Sequence, residues 1–328
     1  MPTDLPALIG PAFLSPRLRE LAEAAGDYAR NDKAANTRRN YDSDVRSFEA
    51  WAAAEGVPGL PASGDTLALY LTAQAPSASV ATLAHRLAAI RAAHKAEGWP
   101  APDSPMLHRV WGGIRRAHGK PRLTKAPLLL DDLRRVLAAI PDTLTGKRDR
   151  ALILVGFAGA LRRSELAALE LEGGEGPLIL AFVPEGLEVR IGRAKADQDG
   201  IGAVVAIPIG RDPTTCATAA VRVWLEAAGI KSGPVFRRMR RWGAVGSSGI
   251  TPPVVALVVK AAVERVGLDP AAFAGHSLRA GLATAAAVND AAPDVLMNHM
   301  RHASYGTTLG YIRDAQKFTR NAADIAGL

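Results

Sequence analysis

The chain has a single cysteine, Cys216, among 328 residues. No intramolecular disulfide can form, a zinc site built on cysteines is excluded, and a reducing cytoplasm fits. Long apolar runs are missing as well: none reaches the roughly 18 residues that a membrane-spanning helix needs. The opening MPTDLPALIGPAFLSPRLRE lacks the charged start and continuous apolar stretch of a secretory signal. A cytoplasmic protein, neither exported nor membrane-spanning, is expected. Internal repeats and low-complexity tracts are also lacking, so solenoid and linker-like architectures fall away.

What is present is length and positive charge. The length suggests about two domains with a sizeable core. The formal net charge is +8 and the pI near 9.9, with arginine prominent, whose planar fork suits phosphate oxygens. Nucleic acid is the leading partner class, although an Ala- and Arg-rich composition also follows from a GC-rich genome. The placement of the basic residues has to decide.

From about Ser15 to Gly119 the pattern is helical, in short elements punctuated by Pro, Gly and Ser. NTRRNYDSDVRSFEAWAAAEG opens with a capping residue at Asn36 or Thr37, carries Tyr41, Val45, Phe48 and Ala52 at helical spacing, and closes at Gly56. A second helix is predicted from Ser79 to Lys95, with Leu83, Leu87 and Ile90 on its apolar side; a third spans about Met106 to His118. GKPRLTKAP is basic and contains two prolines, which reads as a linker at 120–127. This predicts a helical domain over 1–119 and a second domain over 128–328.

The second domain opens with helical patterns at about 130–140 and 147–170. PLILAFV, LEVRIGR and AVVAIPI then read as a three-stranded antiparallel sheet. Helical patterns resume at 214–228 and from 252 onward. The fold class is therefore mainly α: an all-α N-terminal domain and a mostly helical α+β C-terminal domain with one small sheet.

Four polar islands interrupt the Ala-, Leu- and Val-rich second half. In ALRRSEL, Arg162 and Glu165 stand three apart, where a carboxylate can hold a guanidinium. RAKADQDG places Lys195 in the turn between the second and third predicted strands. AGHSLRAG puts His276 and Arg279 at the start of a helix, where free N–H groups and the dipole favour an anion. HASYGTTLGY carries His302 and, nine positions on, Tyr311. Each alone has a bland reading: a solvated ion pair, a solubilising lysine, a capped helix, a core tyrosine.

In this order and at these separations, the four islands resemble the tyrosine recombinase (phage integrase) family, and NTRRNYDSDVRSFEAW looks like the start of that family's helical core-binding domain. The resemblance implies that Arg162, Lys195, His276, Arg279 and His302 surround a scissile phosphate, with Glu165 in support and Tyr311 as nucleophile. Two departures leave alternatives open. Arg301 stands where glycine commonly precedes the histidine, so His299 is a conceivable substitute for His302, and Tyr305 is an alternative nucleophile. Arg163 neighbours Arg162 but lacks its three-residue relation to Glu165.

The chemistry suits these residue types. A covalent phosphotyrosine conserves the phosphodiester bond energy, so strands can be rejoined without ATP. Two arginines and two histidines can hold the charge that develops on the non-bridging oxygens, with no metal or other cofactor, and Lys195 can protonate the departing 5′-oxygen as general acid. The implied activity is site-specific DNA recombination by strand exchange between two duplexes. A type IB topoisomerase-like enzyme and a catalytically inactive DNA-binding regulator are the alternatives.

The implied partner is double-stranded DNA with inverted-repeat sites, gripped by the two domains as a clamp whose affinity rests mainly on phosphate contacts. Thr82, His85, Arg86 and Arg91 are candidates for reading bases. Lys120 and Arg122 of the linker, and Arg237, Arg238, Arg240 and Arg241 of RRMRRWG, are candidates for phosphate contact. The tail carries Ala322, Ala323, Ile325 and Leu328 at helix-like spacing. By the same resemblance it would dock on a neighbouring protomer and close a homotetramer. The chain begins almost at the core-binding pattern, which suggests a simple Cre/Xer-like type without an arm-binding domain.

Overall fold

The computed structural model describes residues 15–30, 35–120, 124–174, 176–192 and 202–317, with Ala323 and Ala326. The chain divides into two compact units, residues 1–122 and 123–328.

The described residues of the first unit are helical: α1 (Pro16–Arg30), α2 (Ala35–Glu55), α3 (Gly64–Gln74), α4 (Val80–Ala96) and α5 (Pro105–His118). Serine side chains set three of the starts, Ser63, Ser79 and Ser104 accepting the backbone N–H groups of Thr66, Thr82 and Leu107. The predicted cap at Asn36 or Thr37 needs correction, because α2 already includes Ala35 and its cap falls outside the described residues. Phe48, Leu67, Tyr70, Leu83, Ile90 and Leu107 form the core, with Phe48 and Tyr70 edge to face at 5.2 Å. His94 is a satisfied core histidine: Ala62 N–H donates to its Nε2 at 3.0 Å, so Nδ1 carries the proton that meets the Pro100 carbonyl at 2.7 Å.

The second unit is built around a nearly all-buried helix, α7 (Leu144–Ala158). Against it pack α9 (Ala217–Ala228) and α11 (His276–Val288), with α6 (Leu130–Ala139) and α10 (Pro252–Glu264) completing the core. Trp224, fully buried, donates its indole N–H to the Val235 carbonyl at 2.8 Å. The three expected strands are present as an antiparallel run of β2 (Leu178–Val183), β3 (Gly186–Ile191) and β4 (Ala203–Pro208). The structure extends that sheet with β1 (Leu169–Leu171), which pairs parallel to β2. It adds a second two-stranded sheet, β5 (Arg237–Met239) with β6 (Val245–Gly249).

The predicted helix over 147–170 is corrected to two helices. α7 ends at Ala158, Ala160 adopts a left-handed φ of 45°, and α8 (Arg163–Ala167) starts afresh. The run reads as one helix because its apolar residues are buried all round, and the turn falls on Ala160, a residue type that does not mark a helix end in sequence. Two further helices, α12 (Pro293–Met300) and α13 (Tyr305–Gln316), close the unit against α11. Among the described residues no helix is long and apolar enough to cross a membrane.

Candidate active site

Two turns of the same kind frame the site. After α7, Leu161 N–H bonds the Gly156 carbonyl at 3.3 Å and Ala160 N–H the Phe157 carbonyl at 3.1 Å. After α12, His302 N–H bonds Met297 at 3.1 Å and Arg301 N–H bonds Asn298 at 3.0 Å. Each is a Schellman ending with its left-handed residue at the turn, Ala160 at 45° and Arg301 at 52°. Such backbone costs a non-glycine residue roughly 1 kcal/mol. Arg301 therefore occupies the glycine-preferring position noted in the sequence, and the turn directs His302 off the helix.

Arg162 and Glu165 meet as their spacing predicts, but not on one helical face. Arg162 is the cap residue of α8, and the Glu165 carboxylate accepts its backbone N–H at 2.7 Å and its Nη1 at 2.7 Å. The other basic residue on this carboxylate is Arg301, whose Nη2 donates to Glu165 Oε2 at 2.7 Å. Sequence reasoning missed Arg301 as a member of the site, registering it only as a departure from the usual glycine.

Arg279 comes from the first turn of α11 and is 3% exposed. Its Nη1 donates to the Ala160 carbonyl at 2.5 Å and its Nη2 to the Met300 carbonyl, so it ties both turns to α11. Burial first, then the charges of Arg162 and Arg301, push its pKa down to about 10. It remains a cation at neutral pH.

His276 Nε2 and the Tyr311 hydroxyl lie 3.0 Å apart. His302 stacks on the Tyr311 ring, with centroids 5.7 Å apart and planes 11° from parallel, and pairs its Nδ1 with Thr308 Oγ1 at 2.9 Å. Desolvation, and after it Arg279 and Arg162, lower the His302 pKa to about 4. The imidazole is neutral at physiological pH, and its Nε2 edge can meet an anion. A cleft of about 300 Å³ opens beside the pair, with Lys125, His276, Thr307 and Tyr311 among its lining residues.

His299, the alternative to His302, is half-buried with Nε2 bonded to the Ala158 carbonyl at 2.8 Å, and burial lowers its pKa. Tyr305 is 50% exposed at the start of α13. Arg163 is exposed at the start of α8. Lys195, Arg122, Ala322, Ile325 and Leu328 lie outside the described residues.

In the first unit, Thr82 and His85 of α4 line an open groove with Asn40, Ser43 and Asp44 of α2. His85 Nδ1 lies 2.5 Å from Asp44 Oδ2, and Tyr41 meets its ring edge-on at 5.2 Å. Arg86 donates to Gln74 Oε1 at 2.7 Å and stands 3.9 Å from Asp44, so it is folded back onto its own domain. Arg91 stands 3.7 Å from Asp103, and Lys120 is exposed. Asn40, Ser43 and Asp44 escaped the sequence reading, although their spacing of three and four marks one polar face of α2. Around β5, Arg237 is turned onto the Ser232 and Pro234 carbonyls. Arg238, Arg240 and Arg241 are exposed, Arg241 lying 5.6 Å from the ring of Trp242.

Residues 27–97 match the model of the phage integrase N-terminal SAM-like domain. Over 296 residues the chain is 38% identical to an integrase/recombinase XerD homolog of Selenomonas ruminantium, covering 88% of this chain and 85% of that protein. Its fold resembles XerH site-specific recombinase bound to a palindromic difH substrate, with a TM-score of 0.59 and 17% identity over 81% of this chain and 73% of that one. It also resembles the Tn1549 transposon integrase in complex with transposon right-end DNA, with a TM-score of 0.58 and 17% identity over 93% and 97%. A lambda integrase dimer bound to a core site matches with a TM-score of 0.58 and 16% identity over 92% and 95%.

Proposed function

The chain belongs to the tyrosine recombinase (phage integrase) family, and from that premise we propose that Tyr311 cuts DNA by forming a 3′-phosphotyrosine. The observation that carries this reading is the 3.0 Å approach of the Tyr311 hydroxyl to His276 Nε2, beside guanidiniums that, among the described residues, outnumber the carboxylate they share.

The Tyr311 oxygen attacks phosphorus, and His276 is within reach to take the phenolic proton. Arg162 and Arg279 hold the non-bridging oxygens as charge spreads over them, and neutral His302 adds a hydrogen bond through Nε2. Glu165 keeps the Arg162 guanidinium in place. Lys195, carried by the family resemblance, protonates the 5′-oxygen as it departs. A 5′-hydroxyl from a second strand then attacks the phosphotyrosine, releasing Tyr311 and restoring a phosphodiester, so the sum of the two steps needs neither ATP nor a metal.

The α2–α4 groove reads the target, with Asp44 holding His85 through Nδ1 so that Nε2 is left for a base edge. Lys120 and Arg122 before the second unit, and Arg238, Arg240 and Arg241 at the β5–β6 turn, supply phosphate contacts. The working unit is a homotetramer on two duplexes with inverted half-sites, joined by exchange of the C-terminal segment. Its setting is the cytoplasm.

The test is covalent capture from a pool of random-sequence duplexes. After a denaturing quench, wild-type protein should carry covalently attached DNA whose sequences converge on one site. Tyr311→Phe should bind the recovered site and yield no adduct, a loss beyond detection. An adduct in that variant would move the nucleophile elsewhere.

A further inference from the structure

Arg301 is the member of this cluster that no motif assigns, and three observations single it out. Its backbone is left-handed, at φ 52°. Its Nη2 holds Glu165 Oε2 at 2.7 Å while Oε1 of the same carboxylate holds Arg162 Nη1 at 2.7 Å. Its side chain is only 12% exposed, and its Nε and Nη1 are buried with no hydrogen-bond partner among the described residues.

A buried guanidinium that uses one of its nitrogens and leaves two unpaired is unfavourable for folding alone. A glycine at this turn would relieve both the backbone strain and the unpaired donors. The arrangement becomes intelligible through Glu165. Glu165 Oε2 already accepts the Arg162 backbone N–H at 2.7 Å, so the carboxylate is anchored without Arg301, but its full negative charge would then fall on the Arg162 guanidinium. With Arg301 on the same Oε2, that charge is shared between two cations. Arg162 then keeps its orientation and most of its field for an incoming phosphate.

We infer that Arg301 is a positioning residue for DNA cleavage: it shares the charge of Glu165, so that the Arg162 guanidinium is held without being neutralised when it meets the scissile phosphate. The inference rests on the proposed cleavage reaction and deepens it. Arg301 touches neither the phosphate nor Tyr311 in this role; it acts through the carboxylate.

The test uses full-length protein and the duplex recovered by covalent capture. Arg301→Gly suits the left-handed turn, so it should fold, and adduct formation at saturating DNA should slow by roughly 10- to 100-fold, the scale of a misplaced catalytic group. The decisive measurement is a double-mutant cycle with Glu165→Gln: once the carboxylate is gone, Arg301→Gly should add less than about twofold. The salt dependence of DNA binding should keep its slope, because no phosphate contact is lost. Arg301→Lys, which keeps the charge without the fork, should fall between wild type and Arg301→Gly.

Adduct formation in Arg301→Gly at the wild-type rate, with equal or higher thermal stability, would reduce Arg301 to a helix ending and overturn the inference. Additive effects in the cycle, or a shallower salt slope, would do the same by placing its action elsewhere. Should Arg301→Gly fail to fold, the same cycle with Arg301→Lys decides. If the wild type itself forms no adduct, the cleavage reading fails first, and the two failures are told apart.

Discussion

Both units use one carboxylate to hold two basic side chains, and they differ in burial and in what is left over. In the first unit Asp44 takes His85 and Arg86, and Asp103 takes His108 and Arg91, with side chains from 19% to 65% exposed. Water competes for every one of those contacts, so each pair is individually weak and can be rearranged by a ligand. In the second unit a buried Glu165 takes the buried Arg301 on one side and Arg162, whose side chain is 42% exposed, on the other, and Arg279 donates to backbone carbonyls of the two turns. Carboxylates that water still reaches, each between two bases, suit a surface that must adapt to different contacts. A buried carboxylate with a surplus of guanidinium around it, one of them reaching solvent, suits one fixed anion.

Breaking the buried side should have the largest effect. Arg279→Ala removes the proposed clamp on the phosphate together with the donor to the Ala160 and Met300 carbonyls. Adduct formation should fall on the order of 100- to 1000-fold, with roughly 1–3 kcal/mol lost in denaturant unfolding as buried carbonyls go unpaired. A variant that loses activity at unchanged stability would show that the turns do not depend on this arginine.

The exposed side should respond more locally. His85→Ala is expected to cost about 1–3 kcal/mol of discrimination at one or two base pairs of the recovered site. Arg86→Ala should instead lower affinity evenly across sequences, because Arg86 is spent on Gln74 and Asp44. Binding to a panel of single-base variants measures both, and the reverse pattern would exchange their roles.

The smallest expected effect is a pH dependence of stability. His302 is lowered to about 4 in the folded protein against an ordinary value near 6.5. Between those values the unfolded chain binds more protons, so stability should fall as pH drops from 6.5 toward 4. His299 is displaced in the same direction, so His302→Gln should flatten the thermal-midpoint profile only in part. An unchanged profile would mean that the imidazole is solvated despite its position.

The candidate site was legible through its order: histidine and tyrosine are scarce here, with seven and five residues, whereas arginine is common, so Arg279 drew notice only through its three-residue relation to His276 and the family resemblance of the four islands together. Arg301 could not be placed there, since its contact with Glu165 depends on a left-handed backbone and a side-chain reach that no pattern of residue types encodes. The break before α8 was hidden for a related reason: a helix buried on every side has no polar stripe whose interruption would mark its end. β1 is only three residues long and follows α8 almost directly, and β5–β6 was masked by its arginines. Asp44 became meaningful only once α2 and α4 were side by side.

The grip of Arg279 on two distant turns has an evolutionary reading. A descendant that stopped cutting DNA while keeping its shape could lose the Tyr311 hydroxyl with little disturbance, since a phenylalanine would keep the ring's packing on the Leu296 and Met300 cluster and its stack on His302. Losing the guanidinium would loosen three chain segments together. Inactive offspring of this protein should therefore retain an arginine at 279 long after their tyrosine has drifted, a fossil of chemistry kept alive by architecture.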